Sequence, residues 1–501
     1  MSSVYETLLD KVHQIYDLEK AARVLSWDRE VSMPRGGDTA RIQQLTTLRR
    51  LSHTLLTSDQ MGDLVEAAAV ELNGVAYESK QASLVRFLRR DVHNARKLPS
   101  DFFAHLTATT GQAGTAWKQA RSDNDFAVFQ PWLEKVVALQ QAVVELLGYQ
   151  DEPYDALLDK WEPGAKTADV RATFAETKRA LLPLYQTIRE RGAWVDDSCL
   201  HQPYDVEKQK AIAHYLAAAV GYDFERGHLG ASVHPFSTGF ARDDVRITTR
   251  YYPDFLGMAV FATLHEAGHA IYEQNTDAEL TRTPLARETS AGFDESQSRM
   301  AENMIGRSRG FWRVHFPRLQ ETFPQQLGDC TVDTFYRAIN KVKPGLIRVE
   351  ADELTYNFHI ILRFELEQGL IHGDLAVADL PAAWNEQMQA TLGLTPPDDR
   401  EGVLQDVHWS WGYFGYFPTY ALGNLYAAQL YEAAVSQDPT IGEELENGRP
   451  EPLLAWLREN VHRPGRKFPP SELIWRATGR PLGHQAFVRY ATRKFSEIYE
   501  L

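Results

Sequence analysis

The sequence predicts a mainly α protein: a large helical body with a small β-sheet beside one central helix. Three observations predict it. Apolar residues recur every three or four positions through most of the chain, with charges between them. One short stretch departs from that period and is rich in β-branched and aromatic residues. No repeat, low-complexity tract or flexible linker divides the 501 residues, so a single catalytic-size domain over 1–501 is expected, with room for two helical lobes.

The elements follow in order. At the N-terminus, Val4, Leu8, Val12, Ile15 and Tyr16 keep helical spacing and no signal-like apolar segment occurs. "ARIQQLTTLRRLSHTLLTS", "FAVFQPWLEKVVALQQAVVELLG" and "VRATFAETKRALLPLYQTIRERG" read as amphipathic helices, and "MPRGG", "EPGAK" and "TPPDDREG" as breaks. "RITTRYY", from Arg246 to Tyr252, reads as a strand, and "ASVHPFSTGF" before it as strand or turn. A sheet edge there offers main-chain hydrogen bonds to an extended peptide.

Composition narrows the function classes. A formal net charge of −15 and the lack of a Lys/Arg-rich run speak against a nucleic-acid partner. No apolar run approaches the roughly 18 residues of a membrane span. Two cysteines, Cys199 and Cys330, make no disulfide framework and fit a reducing compartment, so a cytoplasmic protein is expected.

The chemistry concentrates in "FATLHEAGHAIYEQ". On a helix, His265 and His269 stand at i and i+4, so both imidazoles reach one ion, while Glu266 points about 100° aside, beside the ion. Ala267 and Gly268 are small enough for another element to approach. The bland alternative, two buried hydrogen-bonded histidines, has less to recommend it once a third ligand is available. A catalytic zinc site uses three protein ligands and keeps one position open. No third histidine follows at short spacing, which leaves a carboxylate from "ETSAGFDESQSRMAENM". Among Glu288, Asp294, Glu295 and Glu302, the choice is Glu295, with Glu302 in reserve. Such a site does hydrolysis, amide hydrolysis being the natural class, with Glu266 as general base. Spacing alone leaves open whether the cut is internal or terminal.

"HEAGHAIYEQ" followed by "DESQSR" resembles the carboxypeptidase Taq family of metallocarboxypeptidases. The likeness extends through "VLSWDREVSMP", "YDALLDKWEPG", "HPF", "DVRIT", "IRVEAD" and "GVLQDVHWSWGYFGYFPTYALGN". It implies a helical fold with a deep active-site groove, one divalent metal per chain (zinc, or cobalt as an active substitute), peptide substrates with a free C-terminus, and a homodimer. His265, His269 and Glu295 match the family's metal ligands and Glu266 its base. Asp294 departs from the family, which usually has His there, and is a candidate for orienting a neighbouring ligand. A carboxypeptidase needs a fixed cation for the substrate carboxylate. Arg348 is the candidate, held by Asp352; Arg246 is a second, beside Asp244. His408 and Tyr420 are candidate oxyanion donors, and His234 and Gln405 candidate substrate contacts. Trp27 and Asp28 read as structural. The rivals are a zinc endo- or oligopeptidase, a dipeptidyl carboxypeptidase, and a non-catalytic metal-binding helical protein.

Overall fold

In the computed structural model, which describes residues 3–501, the first helix runs Val4–Val31 and buries Leu8, Val12, Ile15 and Tyr16, the face its spacing marks. It opens with a reciprocal capping box, in which Ser3 accepts from the Glu6 backbone and Glu6 returns to the Ser3 N–H. Helices Asp38–Thr57, Phe126–Leu147 and Thr167–Arg191 cover the three segments read as amphipathic.

Two apolar cores organise the molecule. The larger takes in residues from Ala113 to Tyr499 and includes the helix Leu256–Gln274. The smaller joins Leu8, Val12, Met61, Val65, Leu84, Leu88 and Val92 from the N-terminal helices. Leu280, Leu285 and Ala286 complete this smaller core, though they belong to the loop that follows the Leu256–Gln274 helix. That loop thus ties the two cores together.

The sheet has three strands, β1 (Gly227–Ala231), β2 (Ser237–Ala241) and β3 (Asp244–Thr249), in the order β1-β3-β2. β1 pairs parallel to β3 with Gly227 opposite Val245, and β2 pairs antiparallel with Thr238 opposite Arg246. The strand read at Arg246–Tyr252 therefore begins two residues earlier and ends at Thr249. Val245 and Ile247 face the core and the helix that follows packs on this sheet.

Candidate metal centre

His265, Glu266 and His269 lie on the Leu256–Gln274 helix, and Glu295 on the helix Ala291–Arg299. The two helices cross where Gly268 stands, and a Cβ there would lie 2.4 Å from the Gln297 carbonyl oxygen. Glycine is needed for that approach. On the far side, Gly423 of helix Phe417–Gln437 leaves no room either: its Cβ would meet Glu295 Cγ at 2.6 Å. Glu295 is thereby pinned between two close backbones.

The start of its helix is equally fixed. Phe293 N–H donates to the Ser290 hydroxyl, Ala291 N–H to the Trp161 carbonyl, and Gly292 N–H to buried Glu162, which also accepts from the Tyr426 hydroxyl at 2.7 Å. These are the N–H groups a helix end leaves without partners. The helix then continues as a π turn over Met300–Ile305, a distortion frequent at functional sites.

The ligand atoms converge. His265 Nε2 lies 3.8 Å and His269 Nε2 3.7 Å from one oxygen of Glu295, and the three donors fall within 4.8 Å of one another. Ligands at zinc distances of about 2.1 Å in a tetrahedron stand about 3.4 Å apart, so the set fits one divalent ion with little adjustment. Both imidazoles retain some access to solvent, at 19% and 16% side-chain exposure, which leaves a side open for water and substrate.

The nitrogens facing away from this point are also engaged. His265 Nδ1 bonds Glu302 at 2.9 Å, and His269 Nδ1 lies 2.9 Å from Asp294, although not in line for a straight hydrogen bond. Glu302 therefore stands behind a ligand, not among the ligands. Arg299 donates to both Glu295 (2.7 Å) and Glu302 (3.3 Å), and Arg307 donates to Glu302 (3.2 Å).

Four carboxylates against two guanidiniums leave this buried nest negative, and its proton affinities show it. Burial lowers His269, but Asp294, Glu266 and Glu295 outweigh it and push the imidazole up to about 10. A divalent ion supplies the missing positive charge in exchange for that proton. Glu266 is raised by its burial, against the pull of both histidines, as suits a base. Burial also raises Glu295, but Arg299 and the imidazoles hold it below the ordinary range, deprotonated as a ligand must be.

Arg348 is buried at 5% exposure and its partner is Asp406, not Asp352. Arg348 Nη2 reaches Asp406 Oδ1 at 2.7 Å, and its Nη1 donates to the Tyr356 hydroxyl at 3.0 Å. Asp352 instead accepts from the Leu354, Thr355 and Lys343 backbone N–H groups, fixing the turn that leads into the helix Tyr356–His372. Residues 348–350 form a single 3-10 turn that ends before Asp352, and the hold on Arg348 expected of Asp352 falls to Asp406. Gln405 is likewise structural: its oxygen accepts from Arg348 N and Arg363 Nη2, and its amide donates to the Leu346, Glu401 and Gly402 carbonyls.

Asp406 also receives Arg363 Nε at 2.8 Å, so one carboxylate is shared by two arginines. His408 follows, its Nε2 3.3 Å from the Tyr420 hydroxyl. Burial lowers its pKa to about 3 against the pull of Asp406, with Arg348 and Arg363 adding to the fall, so it is neutral. The Tyr420 ring lies 5.0 Å from the Arg348 guanidinium, and the Tyr356 ring 4.3 Å from that of Arg299. This chain of contacts joins Arg348 and Tyr420 to the Glu295 end of the metal centre.

The remaining candidates have local partners of their own. Arg246 pairs with Asp244 at 2.8 Å and stacks over Trp27 at 4.6 Å. Asp28 pairs with Arg41, giving "SWDRE" the structural part expected of it. His234 is exposed in the β1–β2 connection, and its carbonyl accepts from Ser232. Asp406, Arg363, Arg299, Tyr356 and Glu162 escaped the sequence reading, because each works through a partner far away in the chain.

A model of the carboxypeptidase Taq (M32) metallopeptidase family matches residues 7–495. Thermostable carboxypeptidase 1 of Thermus thermophilus is 40% identical over 508 residues, 99% of each chain. Carboxypeptidase 1 of Bacillus subtilis is 39% identical over 492 residues, 98% of each. The crystal structure of an M32 carboxypeptidase from Deinococcus radiodurans superposes with a TM-score of 0.96 at 38% identity over 100% of both chains. A helical body built around an HExxH helix, a convergent His-His-Glu set and likeness along the whole length lead to one conclusion: the chain belongs to the carboxypeptidase Taq family and is a metallocarboxypeptidase.

Proposed function

We propose that the protein removes the C-terminal residue of peptides, with Glu266 as general base and acid and Arg348 as the cation for the substrate's terminal carboxylate. The observation that carries this reading is the open-sided His265–His269–Glu295 set with buried Glu266 beside it. Zinc suits a two-histidine, one-glutamate set best, and cobalt is a reasonable substitute. When bound, the ion polarises the scissile carbonyl and makes water acidic enough to attack near neutral pH.

The protein's own groups do the rest. Glu266 takes the proton of the attacking water, its raised pKa making it a willing acceptor, and hands it to the leaving amide nitrogen. In this reading Tyr420 donates to the developing oxyanion, and neutral His408, 3.3 Å from its hydroxyl, holds that hydroxyl until the charge appears. Arg348, Asp406 and Arg363 together carry one net positive charge, since two guanidiniums share one carboxylate. That surplus supports Arg348 as the carboxylate site, Asp406 fixing its plane. Arg246, balanced by Asp244, is the weaker candidate. We further infer a homodimer from the family resemblance, and a cytoplasmic location from the two unpaired cysteines.

The test compares an N-blocked peptide with its C-amidated twin on the zinc- or cobalt-loaded protein, with Glu266→Gln as the blank. We expect loss of the last residue from the free acid alone. Glu266→Gln should cut turnover about 100- to 10,000-fold while metal content stays at wild-type level. Equal cleavage of both peptides would favour an internal peptidase and remove the role given to Arg348.

A further inference from the structure

The fold brings Cys199 and Cys330, the only two cysteines of the sequence, to one place outside the catalytic machinery. Cys199 lies in the turn Ser198–Leu200, and Cys330 stands two residues before the helix Val332–Ile339 on which that turn packs. Polar contacts fasten the two segments on either side of the pair. Gln326 Nε2 donates to the Pro203 carbonyl at 2.5 Å, and Lys341 pairs with Asp197 at 2.7 Å. Both thiols are half-buried against the main core, so each keeps some access to small solutes.

The two thiols are also chemically unequal. The Cys199 thiol neighbours the Cys330 sulfur as a hydrogen-bond partner, and that contact holds Cys330 below the ordinary thiol range while Cys199 is pushed up. Cys330, the less deeply buried of the two sulfurs and set 3.6 Å from the Thr331 carbonyl on the exposed side, is the one a small solute meets first, so it is the nucleophile of the pair and Cys199 the thiol beside it.

We propose that Cys199 and Cys330 form a reversible, peroxide-oxidised dithiol site that closes to an intrachain disulfide. In the first step the Cys330 thiolate attacks one oxygen of a hydroperoxide, the O–O bond breaks, and sulfenic acid and hydroxide (or alkoxide) result. In the second, the Cys199 sulfur attacks the Cys330 sulfur, the S–O bond breaks, and water leaves with the Cys199 proton. Two thiols are oxidised by two electrons in total and one hydroperoxide is reduced. A dithiol reductant reverses the change. The bridge encloses a loop that contains His265, His269 and Glu295, so the oxidised chain carries its whole metal centre inside one covalent ring.

The experiment treats the metal-loaded full chain with hydrogen peroxide and follows intact mass and a non-reducing peptide map. We expect a loss of about 2 Da, a Cys199–Cys330 linked peptide, and restoration by dithiothreitol. In Cys199→Ser, Cys330 should be trapped by dimedone as a sulfenic acid; in Cys330→Ser, Cys199 should give no adduct at the same peroxide dose. A gain of about 32 Da without a linked peptide, the mark of sulfinic acid, would overturn the proposal. So would a disulfide between two chains, or dimedone labelling of Cys199 in Cys330→Ser.

Discussion

Asp294 shows how much one residue behind a ligand can set. The family resemblance implies a histidine at this position, whereas the carboxylate that stands there lies 2.9 Å from His269 Nδ1. A carboxylate on that nitrogen keeps Nε2 free for the metal and makes the imidazole more basic. We expect Asp294→Asn to weaken metal affinity about 10- to 100-fold, read by competition with a chromophoric chelator, with little change in the fold's circular dichroism. Unchanged affinity would make Asp294 a bystander. His265 and His269 stood out in the sequence because helical spacing puts both on one face, and Glu295 was chosen among four later carboxylates; the fold brings the three together. Asp406 was not, since nothing at that position reveals that Arg348 and Arg363 meet on it.

At the scale of elements, the centre depends on close crossings at two glycines. Gly423 has ordinary helical backbone, so its smallness and not its flexibility matters: any side chain would enter Glu295. Gly423→Ala should push the Ala291–Arg299 helix away, costing about 1–3 kcal/mol and releasing metal faster. Thermal unfolding with and without zinc checks this, and a variant stabilised by zinc as much as wild type would refute it. The helices themselves were readable from period. β1 was not: "GHLGA" lacks the β-branched run that marks β3, and it is a strand because the β3 edge pairs with it.

Across the whole molecule, burial of titratable groups shapes the response to acid. His359, at 0% exposure, has only a loose approach to the Gly345 carbonyl, and burial, then Arg363, lowers it to about 3. Its folded pKa lies below the unfolded value of about 6.5, so the fold binds fewer protons than the unfolded chain between the two. Stability from this group is full above 6.5 and is lost as pH falls towards 3. His359→Leu should therefore shrink the fall in thermal midpoint between pH 6.5 and 4, compared with wild type over the same range. An unchanged slope would show that other groups carry the acid sensitivity.

The loop after the metal-bearing helix deserves to be followed one step further. Leu280, Leu285 and Ala286 leave that helix only to become part of the N-terminal core. The helix that presents His265 and His269 therefore sits against the sheet and the main core, while the chain leaving it is held by the smaller core. A substitution that loosens the packing around Leu280 and Leu285 would reach that helix through its own chain, without touching the substrate. Residues of the smaller core thus bear on where the imidazoles stand, although none of them supplies a ligand.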